Sequence, residues 1–223
     1  MRLLDLSQPI FDGCPNCPEH PAVKSEILFD HDAVGWRLEQ LTVVNHTGSH
    51  VDAPLHKIKG GASLDEIPLE KWVGPAVIAD LRGAVADQRF GRENLIEGLE
   101  KYAGPRVAAG AKRDLRDKIV LIATGWGYKR ARTDEWLNHA PMLAPEGAQW
   151  LVDQGVRGVG IDYYSIGDAT IHEILLGNNV WIVEELNFPA EAFELPQPVE
   201  FWTLPVNFKG HTGAFCRPVI VVR

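Results

Sequence analysis

The stretch Asn45-His46-Thr47-Gly48-Ser49-His50-Val51-Asp52-Ala53-Pro54-Leu55-His56 places three histidines and an aspartate within residues 46–56. The chain holds 8 histidines in 223 residues, so an even spread would put only about 0.4 in a window of that length. Imidazole nitrogen and carboxylate oxygen are the usual donors for Zn²⁺ and related divalent ions. A helix would set His46 and His50 on one face, but Gly48 weakens a helix and Pro54 disfavours one through Ala53. A straight strand would point residues 46, 50, 52 and 56 one way, yet spread them over ~33 Å at about 3.3 Å per residue, too far for one metal centre. The segment must bend, most easily at Gly48 and Pro54. The preceding run Trp36–Val44 reads as a strand that delivers the chain into a ligand-bearing loop. The alternative is a surface loop that happens to be rich in histidine.

Outward from this motif, short apolar, β-branched segments recur at Val73–Leu81, Ile119–Thr124, Val156–Ile161, Val180–Val183, Val199–Val206 and Pro218–Val222. They read as further strands. Helices are expected between them. Arg92–Tyr102 carries Leu95, Leu99 and Tyr102 on one stripe. Pro145–Gln154 begins with a first-turn proline and stops at Gly155. Thr170–Leu176 is closed by Gly177. The aperiodic segment Tyr102–Asp117 reads as a loop inside one domain, because neither side alone holds a complete set of elements. The mixture predicts an α/β or α+β single domain over residues 1–223 with a substantial sheet.

Composition narrows the function. Hydrophobic residues at 45% and charged residues at 23% are ordinary globular values and exclude a disordered or fibrous chain. A net charge of −8 argues against general nucleic-acid affinity. No apolar run reaches the ~20 residues of a membrane-spanning helix. Asp5 and Pro9 interrupt what a signal peptide would keep apolar. Three cysteines imply no disulfide framework. The expectation is a soluble cytoplasmic protein.

A mononuclear centre needs three or four donors and a binuclear one about six, so distant residues must contribute. His172 on the short helix is one candidate. Glu184 or Glu185, after the strand Val180–Val183, is another, and pattern alone does not choose between them.

HTGSHVDAPLH resembles the signature H-x-G-T-H-x-D-A-P-x-H of the metal-dependent hydrolases often called the cyclase family, which includes bacterial kynurenine formamidases and isatin hydrolases. The similarity continues through DLSQPI at 5–10, GASLDEIPLEKWVGPAVIADL at 61–81, TGW at 124–126, APEGAQWLVDQGVRGVGID at 144–162, HEILLGNNVWIVEEL at 172–186 and GAFCRPV at 213–219. The resemblance implies an α/β fold around a central mixed, barrel-like sheet flanked by helices, assembled as homodimers or homotetramers. It implies His46, His50, Asp52, His172 and Glu184 as ligands of one or two divalent ions, Zn²⁺ or Mn²⁺. Asp52 and Glu184 are the expected bridges, and His56 is the general acid/base.

Three departures stand out. Ser49 replaces the usual threonine, and the loop from Ser165 to His172 is shorter than in typical kynurenine formamidases. Cys17, in Cys14-Pro-Asn-Cys17, occupies the position where formamidases set an aromatic residue against the substrate, which bears on N-formylkynurenine as substrate. The cysteine pair also reads as a redox motif or half of a four-cysteine metal site. Pro15, Pro18 and the lack of a following helix favour thiols that merely line a pocket.

The implied reaction is hydrolysis of a small linear N-formyl or cyclic amide by metal-activated water, with His56 moving the proton. No Gly-x-Ser-x-Gly elbow supports a serine nucleophile. The rival readings are a non-haem iron oxygenase built on His46, His50 and Asp52, and a catalytically inactive metal-binding module. Trp126 and Trp181 read as core, and His20, His31, His139 and His211 as isolated histidines.

Overall fold

Runs that are apolar on both faces, such as Ile119–Ala123, form the middle of a sheet in the computed structural model, which describes residues 1–101 and 114–223. The strands are β1 (Arg2–Asp5), β2 (Lys24–Phe29), β3 (Leu38–Thr42), β4 (His50–Asp52), β5 (Val73–Asp80), β6 (Arg89–Phe90), β7 (Ile119–Ala123), β8 (Met142–Leu143), β9 (Gly158–Ile161), β10 (Trp181–Glu184), β11 (Val199–Trp202), β12 (Gly213–Phe215) and β13 (Val219–Val222). The helices are α1 (His31–Val34), α2 (Arg92–Glu100), α3 (Asp134–Asn138), α4 (Pro145–Asp153) and α5 (Ala169–Gly177).

Among the described residues, nine strands make one mixed sheet in the order β1-β13-β11-β5-β7-β9-β10-β4-β12. β5, β7, β9 and β10 run parallel. Their connections carry α2, α4 and α5, as parallel pairing requires a crossover. The strands on either flank pair antiparallel.

The sheet curls into a half-barrel flanked by helices, the architecture the resemblance implied. Its outer face buries Val77, Ala79, Val120, Ile122, Val159 and Ile182 against Leu95, Leu99, Leu151 and Leu175 of the helices. The inner face packs Ile78, Leu121, Val183, Phe201 and Ile220 together. Val51 of β4 belongs to that inner core, so strand alternation turns His50 and Asp52 toward the face that carries α5.

Several expectations need correction. Trp36–Val44 supplies only β3, which pairs with β2 in a separate two-stranded arm and not with the main sheet. Every residue of that hairpin is exposed, including Ile27, Phe29 and Leu41. Among the described residues, no sheet face covers its β-branched and apolar side chains. The motif is also not simply a loop: residues 50–52 are a strand, buried throughout and paired on both sides. The bends fall at Gly48, with φ +62°, and at the turn Pro54–His56. The loop expected over Tyr102–Asp117 lies mostly outside the described residues. Trp126 and Trp181 are buried as core.

Candidate metal centre

Gly48 starts the site. Its φ of +62° is left-handed, and a Cβ there would meet Ile10 Cγ1 at 2.5 Å, so only glycine fits without strain. This turn presents the Gly48 carbonyl to His50 Nδ1 at 2.8 Å. His172 is held likewise, its Nδ1 donating to the Asp168 carbonyl one helical turn back, at 3.0 Å. With Nδ1 occupied as a donor, each ring turns its Nε2 inward. Fixing a ligand imidazole through its second nitrogen is the usual device in metal sites.

Those Nε2 atoms face two carboxylates. His50 Nε2 lies 3.5 Å from Asp52 Oδ1 and 3.3 Å from Glu184 Oε2. His172 Nε2 lies 3.7 Å from Asp52 Oδ2 and 3.4 Å from Glu184 Oε1. Glu184 Oε1 also accepts the Ile166 N–H at 2.7 Å. Asp52 and Glu184 are 1% and 3% exposed. Burying an ionised carboxylate costs several kcal/mol unless it is paired, so the imidazoles, or a cation, are required there.

His46 and His56 complete the cluster on its outer side. Their rings stack with centroids 4.0 Å apart. His46 Nδ1 pairs with Asp52 Oδ1 at 2.7 Å, and its Nε2 meets the Thr212 hydroxyl at 2.8 Å. His56 is carried in by the Pro54–His56 turn and is the exposed member. One donor atom each from His50, Asp52 and Glu184 falls within 4.8 Å, and the same holds for His46, Asp52 and His56. Asp52 is common to both groups.

The electrostatics follow from this crowding. Burial lowers the His50 and His172 pKa values, but Glu184 and Asp52 outweigh it and hold both up at about 9. Burial pushes Asp52 up, and its pair with His46 and the other imidazoles bring it below the carboxylate range. Glu184 is likewise lowered by His172 and His50, against burial and the Asp52 charge. His56 is lowered by the surrounding protein and by His46 and His172, with Asp52 opposing.

A divalent cation fits this donor set. Asp52 Oδ2 is buried with no hydrogen-bond partner, although two imidazole Nε2 atoms and a second carboxylate converge beside it. Nitrogen and oxygen donors of this kind suit Zn²⁺ or Mn²⁺.

The structure separates Glu184 from Glu185, which the sequence pattern left open. Glu185 turns away with φ +52° and pairs with Arg130 Nε at 2.8 Å, both side chains buried. Arg130 also donates to the Pro9 and Pro15 carbonyls, and Arg132 donates to those of Gly13 and Cys14. Two arginines thus pin the N-terminal loop over the site. Ser49 adds a third tie: its hydroxyl donates to the Glu185 carbonyl at 2.6 Å and accepts the Gln8 N–H at 2.8 Å.

The pinned loop walls a cleft of about 320 Å³, lined by Asn16, Cys17, His20, Arg132 and Leu137 among others. The cysteines are free, Cys14 buried and Cys17 partly so. Burial raises the Cys17 pKa, with Glu19 and Glu184 adding to it. Burial lowers the His20 pKa, as do His46 and His50, and Arg130 ties the loop that walls the cleft to Glu185, the residue next to Glu184. Sequence reading missed His20, Arg130 and Arg132. The one signal was a proline-rich loop whose carbonyls needed donors from elsewhere.

A curled mixed sheet bearing imidazoles and carboxylates on adjacent strands defines an α/β protein with a centre suited to a divalent cation. The chain belongs to the cyclase family: the profile described as "Putative cyclase" matches residues 4–168. It is 30% identical to a kynurenine formamidase of Salinibacter ruber over 99% of this chain and 97% of that protein. It is 27% identical to a kynurenine formamidase of Bordetella avium over 83% of this chain and 82% of that one. Isatin hydrolase A from Ralstonia solanacearum superposes with TM-score 0.85 at 24% identity, covering 100% of this chain and 92% of that one. Isatin hydrolase A from Labrenzia aggregata, bound to benzyl benzoate, gives TM-score 0.82 at 26% identity, covering 99% and 93%.

Proposed function

We propose that this chain is a metal-dependent hydrolase of C–N bonds other than peptide bonds, acting on a small linear N-formyl or cyclic amide. The observation that carries this reading is the buried Asp52 Oδ2, which accepts no hydrogen bond although the Nε2 atoms of His50 and His172 and the Glu184 carboxylate converge beside it. Kinship to kynurenine formamidases, and the likeness to an isatin hydrolase at 26% identity, support the amide as the bond cleaved.

His46, His50, Asp52, His172 and Glu184 are the proposed ligands of one or two ions, Zn²⁺ or Mn²⁺. Bound there, a divalent ion acidifies water toward neutral pH and polarises a carbonyl. His56 stands at the open side with a lowered pKa, so its imidazole is neutral near pH 7, accepts the nucleophile's proton and returns it to the leaving nitrogen. The stacked His46 ring holds it in place. Cys17 and the cleft around it receive the rest of the substrate. The pinned N-terminal loop fixes that wall before substrate arrives, so little ordering entropy is lost on binding.

We read residues 1–223 as one domain of a cytoplasmic homodimer or homotetramer. Its net charge of −8 is unsuited to nucleic acid, and among the described residues no helix is long and apolar enough to cross a membrane. The exposed apolar side chains of the β2–β3 arm, with Trp36 67% exposed, support assembly. The test is reconstitution with Zn²⁺, Mn²⁺ or Fe²⁺, followed by assay of N-formyl aromatic amines and cyclic amides. Hydrolysis that chelation abolishes and redox-inert Zn²⁺ restores is the expected result. Metal-free protein with undiminished activity, or turnover that requires iron and oxygen, overturns it.

A further inference from the structure

Arg132 differs from its neighbour Arg130 in one respect. Arg130 faces the Glu185 carboxylate. Arg132 bonds only the neutral carbonyls of Gly13, at 2.8 Å, and Cys14, at 3.3 Å, and no carboxylate among the described residues pairs with it. Arg132 is exposed, so it brings to the wall of the cleft a solvated positive charge that no carboxylate among the described residues pairs with. His20 brings a second unmet demand, since its Nδ1 is buried without a partner. Cys17 and Leu137 supply the apolar part of the same lining. Glu19, the nearest acid in sequence, is exposed and does not line it.

Resting on the hydrolase reading, we propose that this cleft binds the carboxylate of an anionic amide substrate, with Arg132 as the specificity-determining residue and His20 as a second hydrogen-bonding group. A planar guanidinium matches a carboxylate in geometry and charge, and such bonds are roughly twice as strong as neutral ones. Two of the donor groups of Arg132 are spent on the loop, which holds the fork still and leaves Nη1 for the ligand. His20 is on the same lining, and its Nδ1, which has no hydrogen-bond partner, is the second polar group within the ligand's surroundings. The apolar lining covers the carbon skeleton between that carboxylate and the amide at the cluster. The cleft therefore selects by charge as well as by shape, and a neutral amide of the same size leaves Arg132 unanswered.

The test compares N-formylanthranilate, an anion, with formanilide, its neutral analogue, on the metal-loaded protein. The wild type is expected to prefer the anion at least about tenfold in kcat/KM, a factor within reach of one charge-assisted hydrogen bond, with the difference carried by KM. In Arg132→Gln the ratio should fall to near one, and Arg132→Lys should recover part of it. Equal use of both amides by the wild type overturns the proposal. So does an Arg132→Gln variant that loses both in equal proportion, which is what a purely structural role in the loop predicts. Calorimetric binding of benzoate against benzamide needs no turnover. Benzoate binding that is about tenfold tighter and lost in Arg132→Gln upholds the cleft even where neither amide is hydrolysed. Benzoate binding indifferent to Arg132→Gln overturns it, whether or not the amides are hydrolysed.

Discussion

His50 and Glu184 are register partners across the β4–β10 ladder, and their facing atoms, Nε2 and Oε2, lie 3.3 Å apart. The spacing of these two groups is therefore set by sheet geometry and not by a loop. Asp52, two residues along β4, is on the same face as His50, and His172 descends from α5 to close the group. Sites built on regular elements hold their geometry more tightly than sites built on loops. His56 is on a short turn instead, with its ring stacked on that of His46.

Different consequences follow for the two histidines. His50→Ala should lose the metal, because Nε2 is its only inward donor. His56→Ala should keep the metal and lose turnover by ~10²–10⁴-fold, the usual contribution of a general acid/base. Elemental analysis beside steady-state kinetics checks both. Metal loss in His56→Ala as severe as in His50→Ala would make His56 a ligand.

The pH dependence of stability has a defined sign. In the metal-free protein His50 and His172 are held up at about 9, against about 6.5 for an unfolded imidazole. Their contribution is fully present below about pH 6.5 and is lost as pH rises through about 9. Asp52 and Glu184 are depressed, so theirs is present above about pH 4 and is lost as pH falls further. Metal binding runs the other way, since the ligands must shed protons. The gain in Tm on adding metal should widen between about pH 6.5 and 9. Calorimetry that shows it narrowing over that range would contradict these pairings.

Gly213→Ala tests the floor of the site. An added Cβ would meet the Val51 carbonyl at 2.3 Å and His46 Cε1 at 2.7 Å. A carbonyl in a ladder yields little, so the cost should be about 1–3 kcal/mol, with weakened metal affinity as His46 shifts. Urea unfolding and a metal titration give the two numbers. Wild-type values in both would show that β12 stands farther off.

Arg130→Met leaves the Glu185 carboxylate buried without its cation, and breaking such a pair costs about 3–5 kcal/mol. The double variant Arg130→Met with Glu185→Leu should recover much of that loss, because the burial of an unpaired charge is removed. If the double variant is no more stable than the single one, the loop contacts of Arg130 dominate instead.

Cys17→Trp should move preference toward bulky aryl amides by about three- to tenfold, the worth of one ring-to-ring contact beyond its area. Kinetics on a size series of N-formyl aryl amines reads this directly. An unchanged series would remove Cys17 from the substrate wall.

Legibility in the sequence tracked how local each signal was. β5 and β7 announced themselves because both faces are apolar and the runs are long. β4 did not, since three residues with two polar side chains look like a loop until β10 and β12 flank them. Trp36–Val44 reads as a strand and contains β3, but composition says nothing about which sheet receives it, and here it is the small arm with β2. The pattern around Glu184 and Glu185 was symmetric. What separates them is a positive φ at Glu185 and an arginine 55 residues earlier in the chain, neither of which leaves a mark on periodicity. His20 was passed over because an isolated histidine carries no spacing to interpret.

β4 sits between β10 and β12, so the residues at 50–52 have one neighbour strand at 182–184 and the other at 213–215. A chain growing from its N-terminus makes His50 and Asp52 early and must wait for residues 182–184 before one side of that strand is covered, and for residues 213–215 before the other is. Until then two carboxylate- and imidazole-bearing residues stand in water, competent to pick up metal but not to hold it as the finished sheet does. Pairings this distant along the chain close slowly, because the entropy of the intervening loop is lost before any contact rewards it. The centre is therefore expected to form last, after the parallel strands β5, β7 and β9 have found one another, and a ribosome-stalled chain ending before residue 213 should bind metal weakly and reversibly.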